Sequence, residues 1–183
     1  LGTSSLRRAS QALALSPEIE IRALRGTVPT RIRKLRDGDY DAILLAAAGV
    51  RRLDLEIDDL ECVELTPEVM LPAPGQGALA IEVRAGDPLT QPLAGLHDAG
   101  VARCVGAERR LLALLGGGCH LPLGCLANEN QTGIRLQAVL GEIDEEVTRA
   151  TVSRVGGLAQ DPESAARVCF EALRLAMPEV VGA

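Results

Sequence analysis

The chain has 183 residues, 47% of them hydrophobic and 24% charged, with a formal net charge of −6. That supplies a sizeable core and is too apolar for a disordered chain. No run of about 18 apolar residues occurs and no basic segment leading into an apolar stretch is visible; composition excludes a membrane protein, a secreted disulfide scaffold and a disordered tail as readings.

In chain order, Leu1-Gly2 reads as the end of a strand turning into a helix, which Thr3 or Ser4 would cap. Leu6, Ala9, Ala12, Leu13 and Leu15 form a helical stripe that ends near Ser16, before Pro17. Glu18–Leu24 alternates with the period of a strand. A second helix starts in Gly26-Thr27-Val28-Pro29-Thr30, runs through Arg36 and is broken by Gly38. Asp41–Ala48 is a short apolar run, the pattern of a strand buried on both faces. The order strand, helix, strand, helix, strand predicts an α/β lobe with a parallel sheet. Ligands of such sheets bind beyond the strand ends, where helix N-termini point.

Pro67–Gly77 reads as a linker with a possible hinge at Gly75-Gln76-Gly77, and Ala78–Val83 as an apolar strand. A helix is expected before Gly100 and another over Val101–Leu115. Three strands follow Gly116-Gly117-Gly118: Gly124–Ala127, Ile134–Leu140 and Val147–Val155. Asp161-Pro162-Glu163 opens a last helix whose apolar face is Ala165, Val168, Cys169, Ala172, Leu173 and Ala176. The second half is thus expected to be a small α+β domain with an antiparallel sheet. The expected division is residues 1–70 for the α/β lobe, 71–98 for an interdomain segment and 99–183 for the α+β domain.

Charge is unevenly spread. Residues 1–52 carry ten basic side chains against five acids, net +5, and the remainder nine against twenty, net −11. A basic region within an acidic protein points to a local site for an anionic ligand rather than to a polyanion binder. With one Tyr, one Phe and no Trp, stacking of single-stranded nucleic acid is disfavoured too. Arg7, Arg8, Arg25, Arg31, Arg51 and Arg52 all follow expected strands, on the ligand side of the sheet. Any one of them alone reads as solvated surface. As a set they suit a ligand with several carboxylates, which a guanidinium fork grips by paired hydrogen bonds. Arg22, Arg33, Lys34 and Arg36 are expected to face solvent.

Five cysteines without framework spacing indicate free thiols and a reducing, cytoplasmic compartment. Cys62, Cys104, Cys125 and Cys169 read as packing residues. Cys119, between three glycines and Pro122, is a candidate reactive thiol. A metal site built on Cys119, His120 and Cys125 fails on spacing, so no metal is expected.

Three stretches together resemble the porphobilinogen deaminase (hydroxymethylbilane synthase) family: Gly2-Thr3-Ser4-Ser5-Leu6-Arg7-Arg8, Leu24-Arg25-Gly26 with Thr30-Arg31, and Gly117-Gly118-Cys119 with Pro122. Leu71-Pro72-Ala73-Pro74-Gly75-Gln76-Gly77 is similar to that family as well. The resemblance implies three domains, the first two like the lobes of periplasmic binding proteins. This chain would hold the second and third, with only the returning strand of the first near Ala78–Arg84.

The implied activity is that of a transferase in tetrapyrrole biosynthesis. It joins four porphobilinogen units head to tail and releases ammonia, through an electrophilic azafulvene that a pyrrole carbon attacks. The implied cofactor is a dipyrromethane held by a thioether to Cys119. Arg7, Arg8, Arg25 and Arg31 match the family's catalytic arginines. Together with Thr3, Ser5, Arg52 and Gln76 they match its cofactor-binding positions. The family's catalytic aspartate belongs to the first domain, so this chain alone is expected to be inactive. The full protein is expected to be a monomer, with no nucleic-acid or membrane partner. Thr27 stands where the family usually has Asn, and Gly116 where it usually has Glu. The rival reading is a non-catalytic carboxylate-binding module on the same scaffold.

Overall fold

The N-terminal segment is organised around Gly2. In the computed structural model, which describes residues 1–118 and 120–182, Gly2 forms parallel bridges to both Arg22 and Ile43. Its N–H donates to the Ala42 carbonyl at 2.8 Å and its carbonyl accepts from Leu44 N–H at 3.2 Å. A Cβ at this position would lie 2.8 Å from Tyr40 Cδ1 and 2.9 Å from Ile43 Cγ2, so the close approach requires glycine. Helix α1 (Leu6–Leu15) joins the first bridged segment to the second, and α2 (Val28–Arg36) joins the second to the third. The parallel pairing and intervening helices are those expected from the sequence.

The pairing itself is narrower than expected. Glu18–Leu24 and Asp41–Ala48 make isolated bridges rather than continuous strands. Leu24 is fully buried, but no residue of 41–48 is. The end of the apolar run is already helical, in α3 (Ala47–Arg52). Its small alanines favour helix over a pleated strand, and that local preference wins where the ladder stops.

The helix ends follow their caps. Ser5, rather than Thr3 or Ser4, caps α1, its hydroxyl accepting from Arg8 N–H. Thr3 Oγ1 instead accepts from Ser5 N–H at 3.2 Å, and Ser4 Oγ donates to the Leu24 carbonyl at 2.9 Å. Thr27 caps α2, with Pro29 in its first turn.

The chain divides into two compact units. The first comprises Leu1–Leu71, Gly118–Gly124 and Val139–Arg154; the second comprises Pro72–Gly117, Cys125–Ala138 and Val155–Ala183. The strands β1 (Leu123–Asn130), β2 (Gly133–Ile143) and β3 (Ala150–Ala159) form a three-stranded sheet in the order β1-β2-β3. Its short connections make it antiparallel. The β2–β3 turn is held by Asp144, whose Oδ1 accepts from Thr148 N–H at 2.7 Å and Arg149 N–H at 3.1 Å. Val147, expected to open the third strand, lies in this turn at φ 58°.

In the first unit, Gly141 of β2 faces α1. A Cβ there would meet Ser10 Oγ at 2.6 Å. In the second unit, α5 (Ala99–Leu114) packs on α6 (Pro162–Ala176). The face that α6 buries is Ala165, Ala166, Cys169 and Leu173, a narrower stripe than expected, and Val168 is 46% exposed. The Cys169 thiol donates to the Leu136 carbonyl of β2 at 3.2 Å. Two short helices, α4 (Thr90–Ala94) and α7 (Pro178–Val181), complete the elements.

Residues 78–83 form no strand. Leu79 and Ile81 are 77% and 58% exposed, because no edge among the described residues pairs with this apolar run. Among the described residues, no helix is long and apolar enough to cross a membrane.

Gly133 tests the β1–β2 hairpin. It adopts φ 121°, and a Cβ would collide with the Ala159 carbonyl. Gly133→Ala should destabilise the protein by about 1–3 kcal/mol, measured by urea unfolding. An unchanged midpoint would mean that this turn is not constrained as described.

Candidate functional site

The candidate site is built where α1 and α2 begin, in the first unit. Helix α1 has no acid in its first turn and carries Arg7 and Arg8 there, against the helix dipole. The two arginines diverge. Arg7 is only 8% exposed, and its Nη1 donates to the Leu71 carbonyl at 2.7 Å. Gln11, one turn on, holds the same residue from both sides. Its Nε2 donates to the Leu71 carbonyl at 3.2 Å and its Oε1 accepts from Leu71 N–H at 2.8 Å. Sequence reasoning missed Gln11, since a glutamine on an apolar helix face carries no signal of where it will bond.

Arg8 is half-buried, and its Nη1 donates to the Leu44 carbonyl at 2.9 Å. Burial lowers its pKa, and the nearby Arg31 lowers it further. Arginine nevertheless keeps its proton at neutral pH. Arg31 Nε donates to the Gly26 carbonyl at 2.8 Å. Gly26, at φ 121°, brings the Leu24-Arg25-Gly26 turn round to meet it. Arg25 and Arg52 are exposed, the latter in the last turn of α3, where a cation suits the dipole.

Among the described residues, Arg8, Arg25, Arg31 and Arg52 form no ion pair. Of the four expected to face solvent, Arg33 and Lys34 also form no ion pair among the described residues, while Arg36 and Arg22 are paired. Arg36 grips Asp59 at 2.5 and 2.8 Å, and Arg22 holds Glu20 at 2.8 Å. Arg51, from the ligand-side set, is drawn off by Glu64. Arg31 acts on Arg8 as a like charge with no acid to offset it among the described residues, and an anion would relieve that repulsion.

Thr3 is buried and Ser5 half-buried, each hydroxyl accepting a backbone N–H at the start of α1. Gln76 belongs to the second unit. It is exposed, and its Oε1 accepts from Ala73 N–H at 3.3 Å across a turn. Cys119 lies outside the described residues. Of the other cysteines, Cys125 and Cys169 are buried and Cys104 is partly so, as packing residues should be. Cys62 is exposed, a correction to its packing assignment that follows from the polar, acid-rich stretch around it. Among the described residues, no group of three His, Cys, Asp or Glu is placed to hold a metal ion.

These environments predict an order of thiol reactivity. Burial pushes the Cys169 thiol up to about 11 and also raises that of Cys104. Cys62, exposed at the surface, should be the first of the described thiols to react with an aromatic disulfide. Cys169 should wait for unfolding, because both access and thiolate are lacking. Peptide mapping that found Cys169 labelled as fast as Cys62 would contradict its placement.

Comparison with known proteins bears on the arginine corner. A family model described as porphobilinogen deaminase, dipyromethane cofactor binding domain, matches residues 1–92. A second, porphobilinogen deaminase, C-terminal domain, matches residues 102–174. Curated relatives named porphobilinogen deaminase include that of Roseiflexus castenholzii, 47% identical over 163 residues, covering 88% of this chain and 52% of the relative. That of Thermus thermophilus is 51% identical over 144 residues, 76% of this chain and 46% of the relative. That of Thiobacillus denitrificans is 43% identical over 176 residues, 94% and 56%. The chain thus spans about half the length of the curated relatives it matches. With family models matching in order from residue 1 to residue 174, the chain belongs to the porphobilinogen deaminase family.

Proposed function

We propose that the protein carrying this chain is a hydroxymethylbilane synthase. It would be a transferase that joins four porphobilinogen units head to tail with loss of ammonia, in tetrapyrrole biosynthesis. The observation that carries this reading is the pair Arg8 and Arg31, on α1 and α2: both half-buried, each held by a backbone carbonyl and with no acid partner among the described residues. It lies in the segment matched by the cofactor-binding family model. The same corner would serve a non-catalytic carboxylate-binding module, but nothing in the comparisons favours that rival.

A dipyrromethane fits these residues on charge, since each of its pyrroles bears an acetate and a propionate. When bound, it supplies the pyrrole carbon on which the chain is extended. Arg8 and Arg31 would neutralise its carboxylates, and Arg25 and Arg52, exposed on neighbouring turns, would take further ones. Arg7 would act from beneath, fixing α1 to Leu71 so that Arg8 faces outward. Thr3 and Ser5 would hold the start of α1, and Gln76 is a cofactor-binding position by the family resemblance alone. Cys119 would carry the thioether. In this reading the bridged N-terminal segments are the second lobe of a periplasmic-binding-protein-like pair. The protein would act as a cytoplasmic monomer.

The test uses the full-length protein. Its intact mass should exceed the polypeptide mass by one dipyrrole, and Cys119→Ser should lose that mass and nearly all activity, while Cys62→Ser keeps both. Arg8→Ala removes one partner of a desolvated charge pair, a loss of roughly 2–5 kcal/mol, or about 30- to 4,000-fold in rate. Arg36→Ala, at an exposed ion pair, should be nearly silent. Equal effects at Arg8 and Arg36 would move the site elsewhere.

The 183-residue chain alone should turn over no porphobilinogen, because the family's catalytic carboxylate lies outside it. A missing acid–base group is worth about 10²–10⁴ in rate. Robust turnover by the purified chain would refute this part of the reading.

A further inference from the structure

Within the second unit, one buried side chain joins three elements. Glu108 of α5 is 5% exposed. Its Oε2 accepts from Gly75 N–H at 2.6 Å and its Oε1 from Ala127 N–H of β1 at 2.8 Å. Both oxygens are therefore spent on backbone donors from separate segments. Among the described residues, Glu108 forms no ion pair.

A buried carboxylate without a cation is a poor way to gain stability, and a packed apolar residue would serve better. What it offers instead is geometry. An ionised carboxylate only accepts, so it fits a corner where two N–H groups converge and nothing else does so at that size. Burial raises its pKa, while the two N–H donors pull it back down. The donor at Gly75 belongs to the turn that also holds Gln76. There Gln76 N–H donates to the Ala73 carbonyl at 2.9 Å, and Gly75 adopts φ 71°. The adjoining Pro72 carbonyl accepts from Cys125 N–H of β1 at 2.8 Å. The turn is thus tied to β1 directly at Pro72 and through Glu108 at Gly75.

We propose that Glu108 is a positioning residue for Gln76: its carboxylate locks the Ala73–Gln76 turn to β1 and α5 and so fixes where Gln76 stands. The proposal rests on the functional reading above. It assigns Glu108 no contact with the ligand.

The experiment compares wild type, Glu108→Gln and Glu108→Asp in the full-length protein. Two quantities are read: residue-resolved amide exchange, and the fraction of folded molecules carrying the dipyrrole by native mass. Glu108→Gln keeps the shape but replaces one acceptor with a donor facing an N–H. Glu108→Asp is too short to reach both donors. In each variant, exchange at Gly75, Ala127 or both should rise about tenfold or more, with the amides of α6 unchanged. The dipyrrole-carrying fraction should fall several-fold, more in Glu108→Gln than in Glu108→Asp, which keeps the charge and one bond.

Unchanged exchange at both amides would overturn the clamp. A uniform rise that includes α6 would mean that Glu108 serves global stability, which also overturns it. Faster local exchange with normal loading would separate the turn from the cofactor and overturn the positioning role. A wild type that carries no dipyrrole would overturn the functional reading itself, whatever the variants do.

Discussion

A buried peptide group must find partners inside the protein, and at Leu71 both of them come from side chains of one helix. Losing such a partner costs about 1–3 kcal/mol per unsatisfied group. The rotation of α1 about its axis is therefore constrained by a main-chain position more than fifty residues downstream. With Arg7 and Gln11 turned toward Leu71, Arg8, about 100° further round the helix, reaches the Leu44 carbonyl instead. The glycine at residue 2, which admits Tyr40 and Ile43 to its backbone, sets the start of the same helix.

The electrostatics of the first unit follow from the sorting of its arginines. Acidic neighbours neutralise Arg22, Arg36 and Arg51. Backbone carbonyls hold Arg8 and Arg31. A carbonyl fixes a guanidinium's direction but leaves its net charge in place, so these two remain available to a ligand anion. A carboxylate partner would have fixed the direction and cancelled the charge together.

Much of this was readable from the sequence, and the limits are physical. Helices α1, α2 and α6 carry their own signals in apolar period, cap and terminating residue, so Asp161-Pro162 marked the start of α6 to the residue. The hairpin strands were legible because Ile134, Leu136 and Ala138 alternate with polar neighbours. An apolar run such as 41–48 or 78–83 states only that it favours burial. Whether it becomes a strand depends on a pairing edge elsewhere, which no local pattern encodes. The arginine set was legible as a set, but only the fold separates inward Arg7 from outward Arg8. Glu108 and Gln11 gave no sign, since their partners are main-chain groups of remote segments.

The close approach at Gly2 has a consequence for spectroscopy. The chain holds one tyrosine and no tryptophan. That tyrosine, Tyr40, lies over Gly2 and donates its hydroxyl to the Ala23 carbonyl at 2.7 Å. Emission excited at wavelengths that tyrosine absorbs and phenylalanine does not therefore originates at the junction of the three parallel segments. A phenol bonded to a carbonyl emits differently from one in water, so the native chain carries a single-site optical reporter for the integrity of its N-terminal fold, with no label attached.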